Sequence, residues 1–182
     1  MGKLRIGARW AALAGTGGAL IAFAASPLAA DPLGPYAAAC AAGSDRPAVL
    51  VRVIGFKARE GRVRVQAYGG DPAHYFDKGS YLKRIELPVP AQGPVEICVP
   101  LPKPGIYAVT VRHDADGTGK TSMADGGGMS GNPSMSLWEV MLHRKPAPEK
   151  VEVRVGDGVV TVPVVLNYVQ GGSFRPVSVA AR

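Results

Sequence analysis

Residues 62–68 read RVRVQAY, and this short segment indicates the fold most clearly. Hydrophobic and polar side chains alternate along it, so that Val63, Val65 and Ala67 share one face and the polar residues between them share the other. A period of two residues is typical of a β-strand with one buried and one solvated face. We therefore predict a strand whose sheet packs against a hydrophobic core.

Similar segments, rich in valine and separated by turn residues, lie on both sides of this strand. Further strands are predicted at 48–56, 81–89, 95–101, 106–113, 136–143, 150–155 and 159–168, with a helical turn as the alternative at 136–143. Gly55 and Gly61 bound one connection, and Gly-Asp-Gly at 156–158 forms another, so we expect a β-hairpin at each. Pro163 cannot donate a hydrogen bond to a neighbouring strand, which indicates an edge strand or a bulge.

Seven or eight short strands over residues 47–170, with no helix of ordinary length, predict an all-β domain. The expected architecture is an antiparallel β-sandwich, immunoglobulin-like or prealbumin-like. A closed barrel is the alternative. Trp138 and Met141 lie in a predicted strand and are expected in the core, whereas an exposed Trp138 ring would indicate stacking on a sugar.

The first thirty residues have the features of a signal peptide. Basic residues precede an uncharged apolar run over residues 10–25, and small residues lead up to Ala30, where we expect cleavage. An uncleaved N-terminal anchor is the alternative, although the run is shorter than the roughly 20 residues that span a bilayer. We therefore expect a periplasmic or secreted protein with no transmembrane segment in its mature part.

The formal net charge of the chain is +7. Three of the positive charges, on Lys3, Arg5 and Arg9, belong to the predicted signal peptide. The remaining basic residues are scattered and are not interleaved with stacking aromatic residues, so we expect no nucleic-acid partner. The envelope partners that remain are a protein, a glycan or a peptide.

The chain contains two cysteines, Cys40 and Cys98. In an oxidising compartment an isolated pair of this kind usually forms a structural disulfide, and the pair lacks the close spacing of redox or metal motifs. The bond would tie a lead-in segment, residues 31–46, to a strand. Residues 171–182 are expected to form a frayed tail.

Residues 114–125 read DADGTGKTSMAD and have the layout of a calcium-binding loop. Oxygen ligands are available at positions 1, 3, 5, 7, 9 and 12 of the loop, and a glycine falls at position 6. The candidate ligands are Asp114, Asp116, Thr118, the backbone carbonyl of Lys120, Ser122 and Asp125. Because only three are carboxylates, the expected dissociation constant is about 10⁻⁴ to 10⁻³ M.

The same segment has a second interpretation, a polar turn whose Asp and Gly residues satisfy their own backbone. Thr118 and Ser122 are weaker calcium ligands than the residues usual at their positions, and no helices flank the loop. Calcium is the cofactor that the pattern allows, and both interpretations stay open. The loop lies inside a longer stretch, residues 114–134, that lacks any strand pattern.

A longer motif, GIYAVTVRHDADGTGK at 105–120, resembles the signature of the domain of unknown function 2141 family, small secreted bacterial proteins. The matching positions are His113, Asp114, Gly117, Gly119 and Lys120. The family typically has asparagine where this chain has Asp116 and Thr118, and Leu-Asp at 121–122. The resemblance covers about residues 48–168 and implies export and an all-β fold. It implies no reaction, because the family has no established activity.

His113 stands at a strand end beside Asp114, where it could act as a general base, bind a metal or fix the loop through hydrogen bonds. No nucleophile pairs with it in the sequence, and no catalytic residue is assigned. We expect a non-enzymatic envelope module that binds a ligand or has a structural role. The alternatives are a metal-dependent hydrolase that uses His113, Asp114 and Asp116, and a purely structural periplasmic protein.

Overall fold

The computed structural model describes residues 31–177, so the predicted signal peptide, residues 1–30, lies outside the described residues. Residues 31–177 form ten β-strands in two sheets. The strands are β1 (Ala48–Ile54), β2 (Arg62–Gly69), β3 (Lys83–Pro88), β4 (Val95–Pro100), β5 (Gly105–Asp114), β6 (Gly126–Met129), β7 (Glu152–Val155), β8 (Val159–Val165), β9 (Asn167–Gln170) and β10 (Ser173–Pro176). The predicted all-β sandwich is confirmed, with ten strands where seven or eight were expected.

The smaller sheet has the order β4-β1-β8, and the larger has the order β10-β9-β6-β5-β2-β3 with β7 also paired to β5. One edge of β5 pairs with β2, while its other edge pairs first with β7 and then with β6. The pairing of β1 with β8 is parallel. Pro163 lies on β8 at the edge of the smaller sheet, as its missing N–H predicts.

Both expected hairpins are wrong, because each pair of consecutive strands is divided between the two sheets. The strands β1 and β2, on either side of 55–61, belong to different sheets, and so do β7 and β8 on either side of 156–158. The turn residues change the direction of the chain as expected. These turns lead the chain from one sheet to the other. The next strand then pairs with a strand distant in sequence, which the local sequence does not identify.

The core lies between the two sheets and consists largely of valine. The predicted inward face of β2 is confirmed, since Val63, Val65 and Ala67 are fully buried. On β5 the side chains of Tyr107, Val109 and Val111 point to the same core. Burial of branched aliphatic side chains on both facing sheets is the main stabilising contribution here, at about 1.5–3 kcal/mol for each fully buried side chain.

Residues 136–143 form a helix and not the predicted strand. The helix α1 (Leu137–Met141) begins at Ser136, whose hydroxyl accepts the Glu139 N–H while the Glu139 carboxylate accepts the Ser136 N–H. This capping box satisfies two backbone donors at the start of the helix. The expectation of a core position for Trp138 and Met141 is wrong, because their side chains are 71% and 54% exposed.

The disulfide between Cys40 and Cys98 is confirmed, with the two Cα atoms 5.8 Å apart. It links two cysteines 58 residues apart, and closing a loop of that length contributes about 4 kcal/mol in the chain-entropy description. The lead-in segment is further held where Leu33 bridges Ile97 of β4. At the other end, β10 lies within the expected tail. No helix of residues 31–177 has the length and hydropathy required to cross a membrane.

Candidate cation site

The 114–125 loop joins two neighbouring strands of the larger sheet. Asp114 is the last residue of β5, Gly126 is the first residue of β6, and Gly126 pairs with His113 in the ladder. The chain therefore leaves the sheet and returns beside the point of departure. The ladder fixes both ends of the loop, which holds its first and last carboxylates near each other.

Three of the six predicted ligands come together in this loop. Asp114, Asp116 and Asp125 each offer an oxygen atom, and these oxygens lie within 4.8 Å of one another. Asp114 and Asp125 are buried, whereas Asp116 is exposed. Carboxylates at this spacing repel one another unless positive charge lies among them.

The other three predicted ligands make hydrogen bonds within the loop or to Arg112. The Thr118 hydroxyl donates to Asp116 Oδ1 at 2.8 Å, and the Ser122 hydroxyl donates to Asp125 Oδ1 at 3.1 Å. The carbonyl of Lys120 accepts a hydrogen bond from the Arg112 guanidinium at 2.5 Å. The charged ligands that the loop presents are its three carboxylates.

Asp114 has two oxygens in different environments. Its Oδ2 accepts the Gly119 N–H at 2.8 Å, which shapes the turn. Its Oδ1 is buried and has no hydrogen-bond partner among residues 31–177. The closest positive group is the Nη2 atom of Arg112, at 3.7 Å, beyond hydrogen-bond distance. A buried carboxylate oxygen without a donor is destabilising, since nothing replaces its lost hydration.

Arg112 supplies the positive charge already present in the cluster. Its Nη2 and Nε atoms donate to Asp125 Oδ2 at 2.8 and 3.2 Å, and its Nη1 atom donates to the Gly119 carbonyl at 3.3 Å. Sequence analysis gave Arg112 no role. The available signal was its spacing, because residues two apart on a strand share a face and Asp114 follows at that distance.

The loop also favours the ionised form of Asp116. Hydrogen bonds from the hydroxyl and the N–H of Thr118 hold the pKa of the Asp116 carboxyl below its usual value. Stabilisation from this carboxylate is present above the ordinary aspartate pKa and is lost as the pH falls through the lowered value. Near neutral pH the exposed ligand is thus a carboxylate.

The part of the chain that contains this loop matches a known family model. Residues 51–163 match the family described as "Uncharacterized protein conserved in bacteria (DUF2141)". The chain belongs to the DUF2141 family. The match extends from β1 to β8 and includes the whole cation cluster. No curated protein matches the chain, and no solved structure does.

Two glycines of the motif that resembles DUF2141 proteins have backbone conformations that require them. Gly117 and Gly119 have φ angles of 66° and 76°, in the left-handed region where residues with a side chain are rarely found. The second of them donates its N–H to Asp114. These glycines therefore allow the chain to turn tightly around the carboxylate at the first loop position.

His113 of this DUF2141 protein is part of the core. Its side chain is fully buried, and both ring nitrogens have partners. The Nε2–H donates to the Glu60 carbonyl at 2.8 Å, so Nδ1 accepts from the Tyr168 hydroxyl at 2.7 Å. The Phe56 ring packs edge-on against the imidazole, with the ring centroids 5.0 Å apart. The histidine thus connects the end of β5 with β9 and with the segment before β2.

Proposed function

We propose that this protein is a non-enzymatic binding module of the bacterial cell envelope and that its 114–125 loop binds a calcium ion. The observation that carries the cation site is Asp114 Oδ1, a buried oxygen with no hydrogen-bond donor within residues 31–177. Leaving such a group unpaired costs about 1–3 kcal/mol or more. A cation bound at this oxygen removes that cost.

The charges of the cluster support a divalent ion. Asp114, Asp116 and Asp125 are three acidic groups, and Arg112 is the one basic group bonded to them among the described residues. One calcium ion neutralises the remaining two negative charges. Calcium prefers oxygen ligands and takes six to eight of them, so three carboxylates provide part of the shell and water provides the rest.

An envelope location is supported by the disulfide and by membership of a bacterial family. A structural disulfide persists in the periplasm or outside the cell, where the environment is oxidising. A rigid sandwich that presents an ordered loop between two of its strands is a common arrangement for recognition. The corresponding partners are an envelope protein, a glycan or a peptide.

A metal-dependent hydrolase that uses His113, Asp114 and Asp116 has less support. A general base must come within hydrogen-bond distance of the proton that it removes. His113 is fully buried, and both of its ring nitrogens are bonded within the core. A purely structural protein is the third hypothesis, and calcium binding separates it from the proposal.

Calorimetric titration of calcium into oxidised protein that starts at Asp31 tests the proposal. That protein contains the disulfide and all ten strands. We expect one saturable site with a dissociation constant of about 10⁻⁴ to 10⁻³ M. The substitution Asp114→Asn keeps an acceptor for the Gly119 N–H but removes the charge, so we expect binding to weaken about tenfold or more.

The matched control is Asp157→Asn, which removes one carboxylate from the connection between β7 and β8, outside the loop. We expect this variant to bind calcium like the unaltered protein. Absence of binding, or equal affinity in the Asp114→Asn variant, would contradict the cation site and leave the loop as a turn closed by Arg112.

A further inference from the structure

A groove runs across the outer face of the larger sheet, next to the cation site. It consists of two adjoining hollows of about 490 and 500 Å³, which share Gly127, Val140 and His143 in their lining. Each volume lies within the range of small-molecule sites. Because the two hollows share lining residues, a single ligand that occupies both would be elongated.

The wall opposite the sheet is the segment 130–147, which includes α1. It is held near its start by Asn132, whose side chain bonds the backbone of Pro163 and Val165, and near its end by the Lys145–Asp77 ion pair. Between these anchors, residues 134–144 make hydrogen bonds only with one another, as far as the described chain extends. The middle of this wall is therefore not fixed by hydrogen bonds to the rest of the described chain.

Unusual backbone conformations are concentrated at this groove. Within residues 31–177, the non-glycine residues with positive φ are Phe76 (67°), Asn132 (50°) and His143 (52°), and all three line the first hollow. Asparagine and histidine adopt this conformation at modest cost, but for a bulky phenylalanine it is uncommon. Strained residues of this kind are found preferentially at binding sites, where the surrounding structure maintains them.

The surfaces within and around the groove are apolar and adaptable. Met129 and Met135 line the first hollow, and Met123 and Met141 line the second. Methionine side chains are flexible and polarisable, so they suit a ligand that itself has many conformations. Trp138 on the adjacent α1 is 71% exposed. An exposed group of large apolar side chains on a single domain is typical of an interaction site.

The charge at the groove is unevenly distributed. The first hollow is lined by Lys78, Arg144, Lys145 and one carboxylate, Asp77, which pairs with Lys145 at 2.5 Å. In the described part of the chain, Lys78 and Arg144 form no salt bridge within 4.0 Å. Arg112 and Asp125 line the second hollow and pair with each other at 2.8 Å, so this end carries no unpaired charge of either sign from these two groups. The basic end thus favours a negatively charged group.

We infer that the groove binds an amphipathic anion with a single acyl chain, a free fatty acid. Its carboxylate lies toward Lys78 and Arg144, and its chain crosses Gly127 toward Met123 in the second hollow. The elongated shape favours a chain over a compact ring, and the basic end favours the carboxylate. This inference deepens the proposed binding function, but it does not depend on the calcium ion.

Tryptophan fluorescence provides the test, because Trp138 is the one tryptophan in protein that starts at Asp31. Dodecanoate is added below its micelle concentration, in EDTA and again in calcium. We expect a saturable blue shift of the emission in both buffers. Dodecyltrimethylammonium has the same chain with the opposite charge. We expect its affinity to be lower than that of dodecanoate by a factor of about ten or more. Equal affinity for the two probes, or no binding, would overturn the inference.

Two variants locate the binding site. The exposed pair Lys78→Glu and Arg144→Glu is expected to weaken dodecanoate binding about tenfold or more and to remove the preference for the anion. Gly127→Leu is expected to block both probes, because Gly127 lines both hollows and a Cβ there has no neighbour closer than Phe174 Cζ at 3.7 Å, so the larger side chain fills the groove. Dodecanoate binding unchanged in the doubly substituted protein would overturn the inference even if Gly127→Leu fails to fold. Because EDTA removes calcium, dodecanoate binding in EDTA tests the groove independently of the cation site.

Discussion

Tyr168 links three parts of the chain at the scale of single side chains. Its ring is fully buried, its hydroxyl donates to His113 Nδ1 at 2.7 Å, and the same oxygen accepts the Lys57 N–H at 3.2 Å. The sequence predicted a strand through Tyr168 but could not predict this contact, because the partners lie 55 and 111 residues away. It did predict the carboxylates of the loop, since their spacing is local.

The buried hydroxyl predicts a loss of stability in alkali. Burial raises the pKa of Tyr168 to about 12, compared with about 10 in the unfolded chain. The folded state holds this proton more tightly, so the stabilisation is complete below about pH 10 and is lost as the pH rises toward 12. We expect the free energy of unfolding, measured by urea denaturation, to fall over this range.

The substitution Tyr168→Phe is the matched control for that titration. It removes the ionisable group along with its hydrogen bonds, so we expect a loss of about 1–3 kcal/mol at neutral pH and a smaller further loss between pH 10 and 12. Burial also raises the pKa of Tyr68 and Tyr75. The part of the alkaline loss of stability that these two tyrosines cause is therefore expected to remain in the Tyr168→Phe variant. An alkaline loss identical to that of the unaltered protein would mean that Tyr168 does not cause it.

At the scale of elements, β6 explains why part of the fold was not predictable. Its sequence is Gly-Gly-Gly-Met, which has little intrinsic tendency to form a strand. The strand forms through its pairing with β5 and β9. Its residues are glycines because the neighbouring atoms leave no room for a side chain at two of the positions. A Cβ atom at Gly126 would lie 2.5 Å from the Tyr168 ring, and one at Gly128 would lie 2.5 Å from the Val165 carbonyl oxygen. Close approach of this kind is a recognised role for glycine in strands.

Two adjacent glycines of β6 should therefore respond differently to the same substitution. Gly128→Ala places a methyl group against the backbone of Val165, and we expect it to cost about 1–3 kcal/mol. Gly127→Ala meets nothing closer than Phe174 Cζ at 3.7 Å, so we expect a change within about 0.5 kcal/mol. Urea denaturation of both variants measures the difference. Equal losses would contradict the assignment of Gly127 to the open face.

The sequence of helix α1 contains two conflicting local signals, one for a strand and one for a helix. The sequence SLWEVMLH at 136–143 contains enough large apolar residues to suggest a strand, yet Ser136 and Glu139 have the spacing of a capping box. In the structure both hydrogen bonds of this capping box form, and the segment is helical. In contrast, the alternation in β2 predicted both the strand and its buried face, since local pattern and tertiary packing agree there.

At the scale of the whole molecule, the strand order places the cation site in the middle of the larger sheet. The loop connects β5, which pairs with three other strands, to β6, which pairs with β9. The carboxylates come together only when these ladders form. A cation that needs all three carboxylates therefore binds the folded domain and not the unfolded chain, and its binding stabilises the fold as a whole.

The melting temperature as a function of free calcium tests the cation site most directly, because only an ion held by the folded domain raises it. At ten times the dissociation constant the linkage amounts to about 1.4 kcal/mol, or a rise of about 3–6 °C for a domain of this size. We expect this rise in the unaltered protein and in Asp157→Asn at matched ionic strength, and its loss in Asp114→Asn. A melting temperature that does not respond to calcium, or that rises equally in Asp114→Asn, would contradict a calcium ion in the 114–125 loop.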